Sequence, residues 1–450
     1  MSGYTLDAVR DCFEGAIPSM IATCDPDGTP NVAYLSQVEY IDERHVALSF
    51  QFFNTTRRNV IANPVASLLV TDPRTGARFR LRIRYLRTET AGALFERMRA
   101  KLAGIASHTG MAGVFRLQGS DVYAVEEIEA IAGEALASPP PRRNLLSAVR
   151  ACAQRLSAVA DLEVLLETAL DCIRSEFAIG HALVLMLDPA GEKLYTVASL
   201  GYADSGVGSE IALGQGVVGV AARERTPIRI GHATSEYAYG RAVREEALRQ
   251  GIALETEIPL PGLAQARSQL AVPIEAFGRL IGVLFTDSDE DLRFGYDEED
   301  ALVAVAGQLG TAIHVLQQQA AEAEEPEPPP EDERRAVRGA PAVVRRFEEN
   351  DSVFLDGDYL IKGVAGAIFW TLVSDYVGAG RSRFTNRELR LDPRIRLPDL
   401  SDNLEARLIL LQKRLVERGA CVRIEKTGRG QFRLAVSRPL QLETVATSSR

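Results

Sequence analysis

The sequence predicts a multidomain α+β protein: a small β-barrel, then an α/β sandwich, then a winged helix-turn-helix. Three observations point there. The chain has 450 residues, about three domains at roughly 150 residues each. Two stretches of linker composition divide it, and the hydrophobic period changes from block to block. Its 46% hydrophobic and 25% charged residues match ordinary folded chains, which excludes collagen, coiled-coil and wholly disordered classes.

The first divide lies around residues 130–143, where IAGEALASPPPRRN carries three consecutive prolines and favours an extended connector. The second is QQQAAEAEEPEPPPEDERR at 317–335, whose acids and prolines leave nothing to bury. The expected units are therefore 1–130, 144–318, an acidic Pro-rich linker at 319–345, and 346–438. Charge is uneven. The whole chain carries 51 Lys and Arg against 61 Asp and Glu, net -10, whereas residues 351–450 carry 17 against 12. A chain this acidic does not coat nucleic acid with its whole surface, so any such contact is C-terminal. The N-terminus has no basic-then-apolar signal, and no apolar run approaches the ~18 residues of a membrane span. The five cysteines (Cys12, Cys24, Cys152, Cys172 and Cys421) show no CxxC spacing, which argues against a zinc module or disulfide scaffold. A cytoplasmic protein without membrane segments or metal is expected.

In the first block NVAYLSQVEYI, HVALSFQF, VASLLVTD and RFRLRIRYL read as strands joined by turns such as DPDG and DPRTG. TLDAVRDCFEG and TAGALFERMRAKLAG read as flanking helices, and a small barrel with helical ornaments follows. FFNTTRRNVIANP places Asn54, Thr55, Thr56, Arg57 and Arg58 just after a strand, a donor set suited to phosphate. The same residues also read as a solvated helix start capped by a threonine. The order IPSMIATCDPDGTPNVAYLSQVEYIDERHVALSF, then FFNTTRRNVIANPVASLLV, resembles the flavin-binding split barrel of the pyridoxamine phosphate oxidase-like family. That resemblance implies FMN, its phosphate on Asn54 to Arg58, its ring beside Tyr34, Ser36 and Gln37, and a homodimer. Relatives also carry haem, a deazaflavin or nothing. His108 is the candidate haem ligand, or a solvated loop residue.

The second block opens with NLLSAVRACAQRLSAVADLEVLLETALDCIRSEF, helical with a break near Asp161, and closes with the helix EEDALVAVAGQLGTAIHVLQQQ. HALVLMLD, KLYTVASL, SQLAVPIEA and FGRLIGVLFTDS between them are strands, giving an α+β sandwich. G-Q-G-V-V-G at Gly214, Gly216 and Gly219 matches a dinucleotide fingerprint by letter but lacks its βαβ setting. With LYTVASLGY before it and RSQLAVPIEAFGRLIGVLFTDS after it, the block resembles GAF domains from end to end. The resemblance implies a sensor, a small-molecule pocket under the covering loops and frequent dimerisation. The loops offer His232, Tyr237, Tyr239 and Arg241. Cys152 and Cys172 lie on the opening helix, where packing suits them better than a bilin.

In the third block GVAGAIFWTLVSDY carries Val364, Ile368, Leu372 and Tyr376 on one stripe. RFTNRELRL has a capping box, Thr385 with Glu388. DNLEARLILLQKRLVERG is a third helix from an Asp402 or Asn403 cap to Gly419, and CVRIEKTGRGQFRLAV is a hairpin. On the third helix Leu404, Leu408, Leu411 and Leu415 form a core stripe, while Arg407, Arg414 and Arg418, with Lys413, share another face. Lys426 and Arg429 sit at the hairpin tip. Residues 381–440 hold 15 basic and 7 acidic residues, the footprint of a DNA-binding module. The run of helix and TGRGQFRL resembles the C-terminal effector domains of response regulators, with a longer insertion, RLDPRIRLPDLSD, before the third helix. The expected function is a one-component sensor in which barrel and GAF domain detect a redox, flavin-linked or small-molecule signal and the winged helix binds DNA. The alternatives are an FMN-dependent oxidoreductase with regulatory C-terminal domains, or a non-catalytic scaffold.

Overall fold

Alternation of small apolar and polar residues builds the first sheet. A computed structural model describes residues 4–51, 55–108, 116–137, 144–188, 190, 192–232, 258–322, 339–395, 397 and 404–445. Strands β1 (Ser19–Cys24), β2 (Pro30–Leu35), β3 (Val38–Asp42), β4 (His45–Phe50), β5 (Val65–Thr71), β6 (Arg78–Glu89) and β7 (Gly119–Ile131) form one antiparallel sheet in the order β2-β1-β5-β6-β7-β4-β3. In β6 Leu81 and Ile83 are fully buried while Arg78, Arg80 and Arg82 point outward, the period of a half-buried strand. The outward arginines meet acids of β7, with Arg80 to Glu129 at 3.3 Å and Arg82 to Glu126 at 3.2 Å. The basic strand is thus neutralised by its neighbour. The segment read as an opening helix is a 3-10 helix, Asp7–Phe13. Helices α1 (Thr55–Ala62) and α2 (Ala93–His108) complete the block.

The central block is the six-stranded antiparallel sheet β10-β9-β8-β13-β12-β11. Its strands are β8 (His181–Asp188), β9 (Lys193–Leu200), β10 (Glu210–Ala212), β11 (Ile228–Ile230), β12 (Ser268–Ala276) and β13 (Arg279–Ser288). The expected helix break falls at Asp161, whose carboxylate accepts from Glu163 N (2.9 Å) and Val164 N (3.2 Å) and so caps a second helix. The result is α3 (Leu145–Ser157) and α4 (Leu162–Phe177). They pack with α6 (Tyr296–Glu322) over one face, and α5 (Gly216–Glu224) covers the other. The glycine string serves packing: a Cβ on Gly219 would stand 2.3 Å from the Ala212 carbonyl.

The third block begins with a strand that sequence reading missed, followed by the segment FLDGDYLIKG, which reads as strand-like and forms a hairpin. Strands β14 (Ala342–Phe347), β15 (Ser352–Leu355) and β16 (Asp358–Ile361) form a sheet whose fourth member, β20 (Leu440–Val445), runs parallel to β14. Then come α7 (Gly363–Ala379), β17 (Arg383–Thr385), α8 (Asn386–Leu391), α9 (Leu404–Glu417) and the hairpin β18 (Val422–Gly428) with β19 (Gln431–Val436). Ile368 and Leu372 are fully buried with Val364 and Tyr376 beside them, and Leu404, Leu408, Leu411 and Leu415 all face the core. The Thr385–Glu388 capping box forms. The cap expected at Asp402 or Asn403 lies outside the described residues, as does part of the insertion before α9.

The central sheet joins the other two blocks at opposite edges. At the β11 edge α2 lies against α5 and against β11 itself, where a Cβ on Gly104 would meet the Ile228 side chain at 2.4 Å. At the β9–β10 edge α9 packs on β9 and on α4.

Candidate functional site

The phosphate-type turn is where the barrel reading is tested. Asn54 lies outside the described residues, and α1 starts at Thr55. Arg58 donates to Thr55 Oγ1 at 3.1 Å and Thr56 Oγ1 accepts from Asn31 at 2.9 Å. Arg57 turns inward. Its guanidinium donates to Asp121 Oδ1 at 2.6 Å and to Thr88 Oγ1 at 3.0 Å, and stacks 4.1 Å from the Phe50 ring centre. Thr55, Thr56 and Arg58 therefore fit a phosphate in donor type, whereas Arg57 is committed to a carboxylate that would repel one. Tyr34 on β2 is 76% exposed, Ser36 is exposed and Gln37 is buried, its amide donating to Glu39 at 3.4 Å. Gln37 Oε1, both side-chain polar atoms of Gln51 and the Ser120 hydroxyl are buried without a hydrogen-bond partner among the described residues. Such orphans are what a polar ligand or ordered water satisfies. The side chain of His108, the last residue of α2, lies outside the described set.

Of the expected central pocket residues, Tyr237, Tyr239 and Arg241 lie outside the described residues. His232 sits at the surface with its Nδ1 2.6 Å from Asp291, beside Arg267. His181 packs its ring on Tyr202. No group of three or more His, Cys, Asp or Glu suited to a metal occurs among the described residues. The thiols of Cys152 and Cys172 are wholly buried and hydrogen-bonded to each other, which holds the Cys152 thiol protonated far above its usual range.

The cationic helix is the site most changed by tertiary structure. Arg407 is not solvated: it pairs with Asp188 at 2.8 Å, with side chains 7% and 9% exposed, and its guanidinium lies 3.7 Å over the Tyr195 ring. Arg414 is buried too, donating to the Leu360 carbonyl at 3.3 Å and Glu417 at 3.1 Å, and burial lowers its pKa below the usual arginine value. Lys413 Nζ is 4.0 Å from Glu167, and Lys426 Nζ is 2.5 Å from Asp161. Arg418 and Arg429 are exposed. Lys426 draws the Asp161 carboxyl below its ordinary value, together with the amides it caps and against its partial burial. Glu417 also accepts from the Ser205 hydroxyl of the central block.

Sequence reasoning missed a second charged interface, between barrel and central sheet. Arg229 of β11 pairs with Glu14 at 2.8 Å and Glu299 at 3.1 Å, all three nearly buried. Arg229 and Arg10 each lie 4.2 Å from the Tyr296 ring centre. Burial pushes the Glu14 carboxyl up to about 7, against the opposing pull of Arg229. No local pattern marks these residues, because their partners lie far away in the sequence, some in another domain.

These folds define two recognisable modules. Residues 5–126 match the pyridoxamine 5'-phosphate oxidase family and residues 161–313 match the GAF domain family, so the chain carries a split barrel of that type followed by a GAF domain. Among solved structures, it is similar to the GAF domain of a phosphoenolpyruvate-protein phosphotransferase from Coxiella burnetii, with 20% identity over 40% of this chain and 97% of that one and a TM-score of 0.32. It is similar to an FMN-binding protein from Syntrophomonas wolfei, at 17% identity over 28% and 86%, TM-score 0.25. It is also similar to a free methionine-R-sulfoxide reductase from Neisseria meningitidis bound to its substrate, at 18% over 40% and 98%, TM-score 0.31. No curated protein matches. Among the described residues no helix is long and apolar enough to cross a membrane.

Proposed function

We propose that this chain is a cytoplasmic sensory protein. Its barrel and GAF domain respond to a redox, flavin-linked or small-molecule signal, and its C-terminal block acts as a winged helix that binds DNA. The observation that carries the reading is the seating of α9 and the β18–β19 hairpin, the two cationic elements, directly on the GAF domain. A change in that domain is therefore felt where nucleic acid would bind. The order of helix, short capped helix, helix and hairpin supports the winged-helix assignment, as does the local basic excess. FMN in the barrel would rest on Thr55, Thr56 and Arg58, and the orphaned polar atoms at Gln37, Gln51 and Ser120 suit a polar ligand nearby. Homodimerisation through the barrel is supported by Val32, Tyr34 and Ile61, which are 65%, 76% and 63% exposed. A small-molecule ligand of the GAF domain belongs to the same reading.

The family match of residues 5–126 favours a second reading, an FMN-dependent oxidoreductase regulated by the remainder. The absorption spectrum of the purified chain before and after reduction separates the two: a flavin band that bleaches with a reduced nicotinamide and turns over supports the oxidoreductase. The DNA reading is tested by anisotropy of a labelled duplex titrated with the full chain over a salt series. Truncating the exposed Arg418 and Arg429 is expected to weaken binding and to lower the salt slope by about two, at roughly 0.9 per phosphate contact. Absence of binding at the lowest salt, both by the parent chain and by chains whose C-terminal block is released from the GAF domain, would refute it.

A further inference from the structure

The cations of the C-terminal block that face the GAF domain already have anionic partners there. Arg407 is held by Asp188 and the face of Tyr195. Lys426 lies 2.5 Å from Asp161 and 3.9 Å from Glu163, and Lys413 lies 4.0 Å from Glu167. The carboxylates come from two separate elements, the start of α4 and the end of β8, so the match is between two surfaces rather than within one turn. The helix and the hairpin tip are the parts that would approach a phosphate backbone, and phosphates are recognised by these same side chains. A guanidinium enclosed between Asp188 and Tyr195 cannot face a phosphate as well.

We propose that the acidic flank of the GAF domain, formed by Asp161, Glu163, Glu167 and Asp188, is an internal competitor for DNA. The docked arrangement excludes nucleic acid, and release of the C-terminal block exposes Arg407, Lys413 and Lys426, while Arg414 stays held by Leu360 and Glu417 of its own block. This rests on the DNA-binding reading above. The rim pairs at Lys413 and Lys426 are solvated and individually weak, so the hold is centred on the buried Arg407–Asp188 pair. Asp188 ends β8, whose Leu183 and Leu185 line the apolar space under α5. A ligand that shifts β8 therefore acts on that pair through one rigid strand.

The test uses full-length chains and a labelled mixed-sequence duplex at several salt concentrations. One variant is Asp188→Asn; the other combines Asp161→Asn, Glu163→Gln and Glu167→Gln, in which asparagine keeps the α4 cap. Apparent affinity scales with the fraction of chain that is released, so Asp188→Asn should bind DNA at least tenfold more tightly than the parent and the triple variant severalfold more tightly, both with a larger hydrodynamic radius. If Asp188→Asn does not fold, the surface triple variant decides alone. Equal DNA affinity of parent and variants overturns the competitor and leaves the DNA reading standing. Binding by none of them, down to the lowest salt, overturns the DNA reading and the competitor with it.

Discussion

Replacing Glu14 by glutamine should remove a pH dependence from the contact between barrel and GAF domain. Glu14 follows the first 3-10 helix and meets Arg229 and, through it, Glu299. Burial raises its carboxyl from 4.5 to about 7. Each tenfold in proton affinity corresponds to about 1.4 kcal/mol, so the docked state binds this proton more tightly by about 3 kcal/mol. The folded value lies above the unfolded one. The contribution is therefore complete below about pH 4.5, falls as pH rises, and is gone above about pH 7. Glutamine copies the protonated carboxyl in shape and cannot ionise. Glu14→Gln should match the parent at about pH 4 and exceed it at pH 8 by about 3 kcal/mol of opening free energy, on the order of a hundredfold in amide protection. The assay is hydrogen exchange of the backbone amides in 7–13 and 228–230, corrected for intrinsic rates. Equal pH dependence in parent and variant would refute the reasoning.

Other consequences follow from particular contacts. Arg57→Ala leaves Asp121, 6% exposed, with only the Thr88 hydroxyl among the described residues, and should cost the barrel about 3 kcal/mol in a denaturant titration; a loss under about 1 kcal/mol would mean the pair is effectively solvated. Gly219→Ala forces a methyl against the Ala212 carbonyl and should destabilise by about 1–3 kcal/mol, whereas unchanged stability would remove the packing role given to the glycine string. Cys12, Cys152 and Cys172 are buried and Cys24 and Cys421 are partly exposed, so a thiol reagent should titrate two groups in the native chain and five in denaturant; early modification of Cys152 or Cys172 would contradict their burial.

What the sequence made legible was local. The helix break at Asp161, the Thr385–Glu388 box and the leucine stripe of α9 depend on residues within one or two turns of each other, and each formed where the pattern placed it. Signals that depend on remote partners were not legible. The pairing of β14 with β20 joins strands almost a hundred residues apart and in parallel, for which no turn residue gives notice. RFRLRIRY reads as an unexpectedly basic strand until β7 supplies Glu126 and Glu129. Arg57 reads as a phosphate ligand because Asp121 lies in a distant strand. The cationic face of α9 was visible by its spacing, but amphipathic spacing says which side is polar and not what covers it. Solvent, DNA and an acidic domain all satisfy the same pattern, and Asp188 is what distinguishes them.

The docked arrangement is tested most directly by zero-length carbodiimide cross-linking, which joins a lysine amine to a carboxylate in contact. Mass analysis of the digested full chain should find Lys426 joined to Asp161 or Glu163, at their separations of 2.5 and 3.9 Å, and the cross-link should fade when saturating duplex DNA is added first. A free chain without any link between these residues, or a link undiminished in chain shown to be DNA-bound, would contradict the account.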